Sequence, residues 1–275
     1  MFENLGRDVK YALRRLRTRR TYALLTVLTL SFGVAGTAAV YSIAGKLLLE
    51  PLPVRAEEEV AVFWMERAWS EAEFLALRPE IQGFQSLAAW RERDVPLQLR
   101  DGPARLLKGV AATAEFFEVL GTHPAVGPGF RPGDDRQGAE PVAVLSHSLW
   151  RELGGDPSIV GGRVELGGVD HTVLGVMPEG FWFPDPTVRV WLANELNPDD
   201  YSGNWSLIGR MPSGVGTAAA ASGFEPLMAM MHERFDYPEG EWDKRVNPHL
   251  VPLRERLVGS IRPAVLATHG AMAVI

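Results

Sequence analysis

Cysteine is absent from all 275 residues, so the chain has no disulfide framework, no thiolate metal site and no cysteine nucleophile. In an oxidising compartment its fold would rest on core burial alone. Lysine is nearly as scarce, with Lys10, Lys46, Lys108 and Lys244 only. None of them sits in a G-x-x-x-x-G-K-[ST] run, and Lys46 after Gly45 merely closes a long apolar stretch. ATP hydrolysis by a P-loop is thereby excluded. There is no G-x-S-x-G elbow and no H-E-x-x-H. His232-Glu233 is followed by Arg234, Phe235 and Asp236, which leaves out the second histidine. The six histidines are scattered, with no pair at metal-ligand spacing. We therefore assign no catalytic residue, no cofactor-binding residue and no metal ligand, and expect no enzyme.

What is present is ordinary in bulk and uneven in distribution. Hydrophobic residues make up 46% and charged residues 23%, the composition of a folded protein rather than a disordered one. Residues 1–20 hold seven basic and two acidic groups, while the remainder holds 21 basic against 32 acidic. The basic head reads as an amphipathic helix. Phe2, Leu5, Val9, Leu13 and Leu16 fall on one side at helical spacing, with Arg7, Lys10, Arg14 and Arg17 opposite. Such a helix suits a lipid headgroup surface better than nucleic acid when an apolar run follows at once.

That run extends from Thr21 to Gly45 without a charge. It exceeds the ~20 apolar residues that cross a bilayer and the ~7–15 of a secretory leader's apolar core. The sequence thus predicts a retained membrane helix over 21–49, in contact with the lipid bilayer. Arg14, Arg15, Arg17, Arg19 and Arg20 flank it, which places the N-terminus in the cytoplasm and the acidic body outside.

Beyond Pro51 and Pro53 the pattern changes to short β-like runs, Gly/Pro turns and a few helices, and all eight tryptophans lie past residue 60. Strands are expected at 59–65, 105–111, 141–145, 188–192, 205–211 and 249–253. A hairpin is expected over 163–177, turning at Gly167-Gly168. Ser70-Glu71-Ala72-Glu73 has the form of a capping box. Thr113 and Ser146 are expected to cap helices carrying Phe116, Phe117 and Leu120, and Leu149 and Trp150, with Trp150 in the core. An Ala/Met-rich helix is expected over 217–235, weakened by Gly223 and Pro226. The mixture predicts an α+β fold. Asp134-Asp135 lacks the pattern of a calcium loop and reads as a solvated turn. Gly167-Gly168 precedes no helix and reads as a turn rather than a phosphate cradle. Met228, Met230 and Met231 read as core filling rather than soft-metal ligands.

The run Phe116-Phe117-Glu118-Val119-Leu120-Gly121-Thr122-His123-Pro124-Ala125-Val126-Gly127 resembles a segment of the MacB/FtsX-like ABC transporter permeases. Phe130–Asp135, Pro141–Trp150, Gly154–Pro157, Ile159–Gly161 and His171–Pro178 continue the resemblance in order, with Gly180-Phe181 and Phe183-Pro184 behind them. Ile208–Arg210 and Val251–Glu255 carry it to the end of the body, and Asp8–Arg14 also fits. Pro128 stands where the family has an arginine, so the turn there departs from the pattern. The resemblance implies a cytoplasmic helix over 1–20, a membrane helix over 21–49 and a periplasmic core domain over 50–260, porter-like with an inserted sabre-like part. It also implies a cytoplasmic ABC ATPase subunit or domain as partner, with a homodimer or another permease subunit beside it, and no cofactor. Residues 261–275 resemble the opening of a second membrane helix. Only twelve residues follow Pro263, short of a span, so the chain reads as the first portion of a permease. The alternative is a single-span, membrane-anchored periplasmic binding module without ATP coupling.

Overall fold

The computed structural model describes residues 52–98, 103–235 and 249–259, together with Thr21, Leu24, Leu25, Val27, Leu28, Thr29, Ser31, Gly33, Val34 and Ala35. The residues of this last group are helical and exposed. The basic head over 1–20, the rest of the predicted span and the tail over 261–275 lie outside the described residues. Among the described residues no helix is long and apolar enough to cross a membrane. Residues 51–257 form a compact unit, separate from one made of 1–50 and 258–275.

In chain order the elements of the larger unit are β1 (Val60–Trp64), α1 (Glu71–Leu77), β2 (Ser86–Gln98), β3 (Arg105–Ala112), α2 (Phe116–Leu120), β4 (Val142–Leu145) and α3 (His147–Glu152). They continue with β5 (Arg163–Leu166), β6 (Val169–Val176), β7 (Val188–Ala193), β8 (Ser206–Arg210), α4 (Thr217–Phe235), β9 (His249–Pro252) and α5 (Leu253–Val258). The α+β class read from the sequence is the one observed.

Two substructures share β2. In the first, β2, β8, β1 and β9 lie side by side, all antiparallel. With α1 between β1 and β2, and α4 between β8 and β9, this is a split β-α-β arrangement. The second occupies the chain between β1 and β8. Its strands pair in the circuit β2-β3-β7-β4-β6-β5 and back to β2, where Leu97 meets Leu166. Each of the six strands contributes to one apolar interior: Val95, Leu107, Leu145, Leu166, Val173 and Val190 are all at most 4% exposed. Alternation of side chains across a strand explains both faces. On β4, Ala143 and Leu145 face this interior, while Val142 and Val144 face outward onto a larger aromatic cluster.

The split β-α-β sheet is covered on both sides. Phe63, Leu87 and Leu207 pack against α1 and α4. Val60, Val62, Ala88 and Ile208 face the other way, against Phe116, Phe117, Leu52 and Leu253. The capping box at α1 forms as predicted: Ser70 Oγ accepts from Glu73 N, and the Glu73 carboxylate accepts from Ser70 N. Helix α4 runs unbroken through Gly223 and Pro226. Ala220, Phe224, Leu227, Met228 and Met231 form one buried face, so packing outweighs the weak local propensity. Gly167 and Gly168 turn the β5–β6 hairpin with φ of 64° and 80°, the two positive values of a type I′ turn.

Three expectations are corrected. Thr113 does not cap α2. Its hydroxyl accepts from Ala89 N on the neighbouring strand at 3.1 Å, and only its carbonyl meets Phe116 N. Trp150 is half-exposed rather than core. Ser146 caps α3 through Leu149 N, Leu149 goes into the ring interior, and the next position is rotated by about 100° toward the surface. Asp134-Asp135 is only partly a solvated turn. Asp134 holds the turn by accepting from Arg131 N, while Asp135 is buried at 3% exposure.

His171 gives a pH test of the ring. It lies on the same face of β6 as Val173, is buried, and its Nδ1 meets Val169 O at 2.9 Å. Burial lowers its pKa from the ordinary 6.5. The Val169 carbonyl and Asp170 oppose that shift, and Arg93 adds to it. The folded value therefore lies below the unfolded one. The stability tied to neutral His171 is fully present above about pH 6.5 and is lost as pH falls toward the folded value. Between about pH 7.5 and about pH 5.5 the urea midpoint should fall more in the native protein than in His171→Gln. An identical fall in both would show that the slope arises elsewhere.

Candidate functional site

Two groups of charged side chains flank α2, and one of them lies where the chain enters and leaves the unit. The incoming segment, 52–59, lies as a strap over the C-terminal end of α2. Arg55 N donates to Leu120 O at 3.0 Å, and Thr122 Oγ1 donates to Pro53 O at 3.2 Å. Leu52 and Val54 are buried in the aromatic cluster, joined there by Leu253 of α5. Glu57 links the two ends of the unit. It accepts from Leu52 N at 3.2 Å and from Arg254 Nη1 at 2.5 Å. Arg210, the last residue of β8 and 9% exposed, lies on the same face of the sheet. Its Nε donates to Val119 O at 2.8 Å, its Nη1 to Glu59 at 3.0 Å and its Nη2 to Arg55 O at 2.7 Å.

A second polar knot sits at the other end of α2. Arg78, just past α1, donates to Asp135 Oδ2 at 3.1 Å and to Glu115. Asp135 also accepts from Ala114 N. Burial alone would lower the pKa of Arg78. The charge and hydrogen bond of Glu115, and then those of Asp135, outweigh burial and leave it above its ordinary value. Beside this knot is a cleft of about 260 Å³ between α2 and the 123–132 loop, lined by Phe117, Phe130, Pro124 and Pro128 with Glu118 and His123. A larger cleft of about 380 Å³ is bordered by Tyr201, Phe235 and the Arg67–Glu73 ion pair. The Glu73 carboxylate is occupied by Arg67 and by Ser70, so it serves α1 rather than a ligand.

The residues weighed from the sequence do not come together. Gly167-Gly168 is a hairpin turn, Met228 and Met231 are core, and His123, His147 and His171 lie in three different places: the cleft, the face of α3 and the ring. Among the described residues no group of three acidic or histidine side chains is placed to hold a metal. Arg210, Arg78 and Glu57 carry the polar architecture, and sequence reasoning gave them no role. The one signal available was an arginine closing an apolar strand, in the register of inward-facing Ile208.

The unit is thus a split β-α-β sheet with a six-stranded ring inserted after its second strand, and its first and last segments are joined through Glu57 and Arg254. The chain belongs to the MacB-like periplasmic core domain family, which matches residues 23–227. A domain of a permease protein from Porphyromonas gingivalis superposes with a TM-score of 0.50 at 17% identity, covering 74% of this chain and 92% of that one. The periplasmic region of MacB from Actinobacillus actinomycetemcomitans superposes with a TM-score of 0.52 at 13% identity, covering 79% of this chain and 98% of that one. At such identities the likeness is one of fold. Among curated proteins none matches this chain.

Proposed function

We propose that this chain is the permease-type membrane component of an ABC transporter or mechanotransmission system, supplying a membrane anchor and the periplasmic domain. The carrying observation is the family match over 23–227, which begins inside the uncharged run Thr21–Gly45 and continues through the ring. On this reading residues 1–20 are a cytoplasmic amphipathic helix, 21–49 span the inner membrane, 50–260 are the periplasmic core and 261–275 begin a further membrane helix. The split β-α-β sheet corresponds to the porter-like part, and the ring inserted in it to the sabre-like part. ATP is hydrolysed by a cytoplasmic ABC ATPase subunit or domain. A second copy or another permease subunit completes the membrane portion.

Orientation follows from the arginines before Thr21, because basic residues flanking a span stay cytoplasmic. An alkaline phosphatase reporter fused after Gly240 should be active, and an unaided GFP at the same place should be dark. The opposite pattern would overturn both the topology and the permease reading. Full-length chain solubilised from its native membrane should carry an ATPase with it, seen as ATP hydrolysis that the purified chain alone lacks. If no ATP hydrolysis accompanies the native complex, coupling is removed and the anchored module without ATP coupling remains.

A further inference from the structure

The strap, β8 and α2 are separate in sequence, and one side chain lies at their junction. A guanidinium carries donors in fixed directions within one plane. At Arg210 these directions are divided: Nε to the Val119 carbonyl of α2, Nη2 to the Arg55 carbonyl of the strap, and Nη1 to Glu59 at the strap's end, just before β1. The neighbouring backbone is shaped around it. Gly121 ends α2 with φ of 64°, and a Cβ there would lie 2.9 Å from Arg210 Nη2 and 3.0 Å from Arg55 Cβ. The strap in turn is tied to the outgoing helix α5 through Glu57 and Arg254.

Helix α2 has five residues, too few to hold its own geometry. The last carbonyls of a helix lack partners within it, and here those of Val119 and Leu120 are taken by Arg210 and by Arg55 N. Its buried side chains pack in the aromatic cluster, and its last carbonyls are held by the strap and by Arg210. Glu115 at its N-cap and Phe117 and Glu118 within it line the 260 Å³ cleft. We propose that Arg210 is a positioning residue that couples the two chain ends of this domain to α2, so that movement of the strap reaches α2 and the cleft beside it. The purpose of such coupling rests on the permease reading; the coupling itself belongs to the fold.

Hydrogen exchange on the full chain in detergent, with no ATPase present, tests it. Glu57→Gln loosens the strap from α5. It should speed exchange in a peptide covering 116–122 about tenfold, and in one covering β4 less than about twofold. In an Arg210→Lys background, where a single ammonium cannot serve three directions, Glu57→Gln should add less than about twofold at α2. A full tenfold addition there would show that Arg210 does not carry the coupling. Equal acceleration of α2 and β4 would show general loosening, and no acceleration of α2 would show no coupling; either result overturns the proposal. Should Arg210→Lys fail to fold, Glu59→Gln weakens one arm and should cut the Glu57→Gln effect at α2 about threefold. An undiminished effect in Glu59→Gln counts against the proposal. Because no partner is needed, failure here leaves the permease reading standing, and a failed reporter topology leaves this result untouched.

Discussion

Trp191→Ala is expected to destabilise the 51–257 unit by about 3–5 kcal/mol, the usual cost of removing a large aromatic from a packed interior. Trp191 is fully buried on the outward face of β7. Its ring lies 5.3 Å from Phe181 and 5.9 Å from Phe117, and its indole N–H donates to Phe183 O at 3.0 Å. Truncation therefore empties the centre of the cluster and also leaves the Phe183 carbonyl without its donor, which adds to the cavity cost. Since a domain is held by only about 5–15 kcal/mol, the urea midpoint should fall steeply. Trp191→Phe keeps most of the volume and should cost less. If Trp191→Ala cost under about 1 kcal/mol, the aromatic cluster would not be the support of the inserted ring.

Trp150→Ala supplies the contrast, because its helix position in the sequence puts that tryptophan in the core as well. Trp150 is half-exposed, meets His147 edge-on at 5.3 Å and donates to Asp156 O. Its loss should cost less than about 1.5 kcal/mol. Urea unfolding of the two variants side by side separates a buried aromatic from one that covers a turn.

The difference between these tryptophans shows what the sequence conveys. Local signals translate well where one residue pair decides the geometry. The Ser70–Glu73 box and the Gly167-Gly168 turn are both found where expected. Strand β2 is missing from the strands the sequence predicts, although it is the longest strand described and the one shared by both substructures. Its middle reads Arg91-Glu92-Arg93-Asp94, followed by Pro96, a polar, proline-bearing stretch. These charges sit where the strand leaves the split β-α-β sheet and runs along the ring, with Glu92, Arg93 and Asp94 exposed. Asp94 is paired across the strands with Lys108, a contact that only the fold creates. The roles of Asp135, Arg78 and Arg210 were hidden for the same reason. Their partners are 57, 37 and 91 residues away in Arg78–Asp135, Arg78–Glu115 and Arg210–Val119. No spacing rule reaches across such separations.

Gly127→Ala should be as costly as a core deletion, although it adds only one methyl group. The 125–129 loop closes the side of β6 that the short β5 leaves open. Ala125 N donates to Val176 O at 2.8 Å, Val176 N donates to Val126 O at 2.8 Å, and Gly129 N donates to Leu174 O at 3.1 Å. At the point of closest approach Gly127 has φ of 84°, and a Cβ there would lie 2.4 Å from Leu174 O and 3.0 Å from the Cα of Gly175. These two are backbone atoms and cannot swing away, and Val160 Cγ1 also lies at 3.0 Å. The left-handed conformation costs an alanine about 1–2 kcal/mol. Lifting the loop to admit the methyl weakens hydrogen bonds worth about 1 kcal/mol each. The total should be about 3–5 kcal/mol, and ring amides of 174–176 should lose exchange protection first. Gly180→Ala is the control, since Gly180 has φ of 83° and nothing within 4 Å of its would-be Cβ. It should show the backbone cost alone, about 1–2 kcal/mol. Equal losses in the two variants, read from urea midpoints, would mean that the loop does not seal the ring. A loss at Gly127 larger by about 2 kcal/mol measures that seal directly.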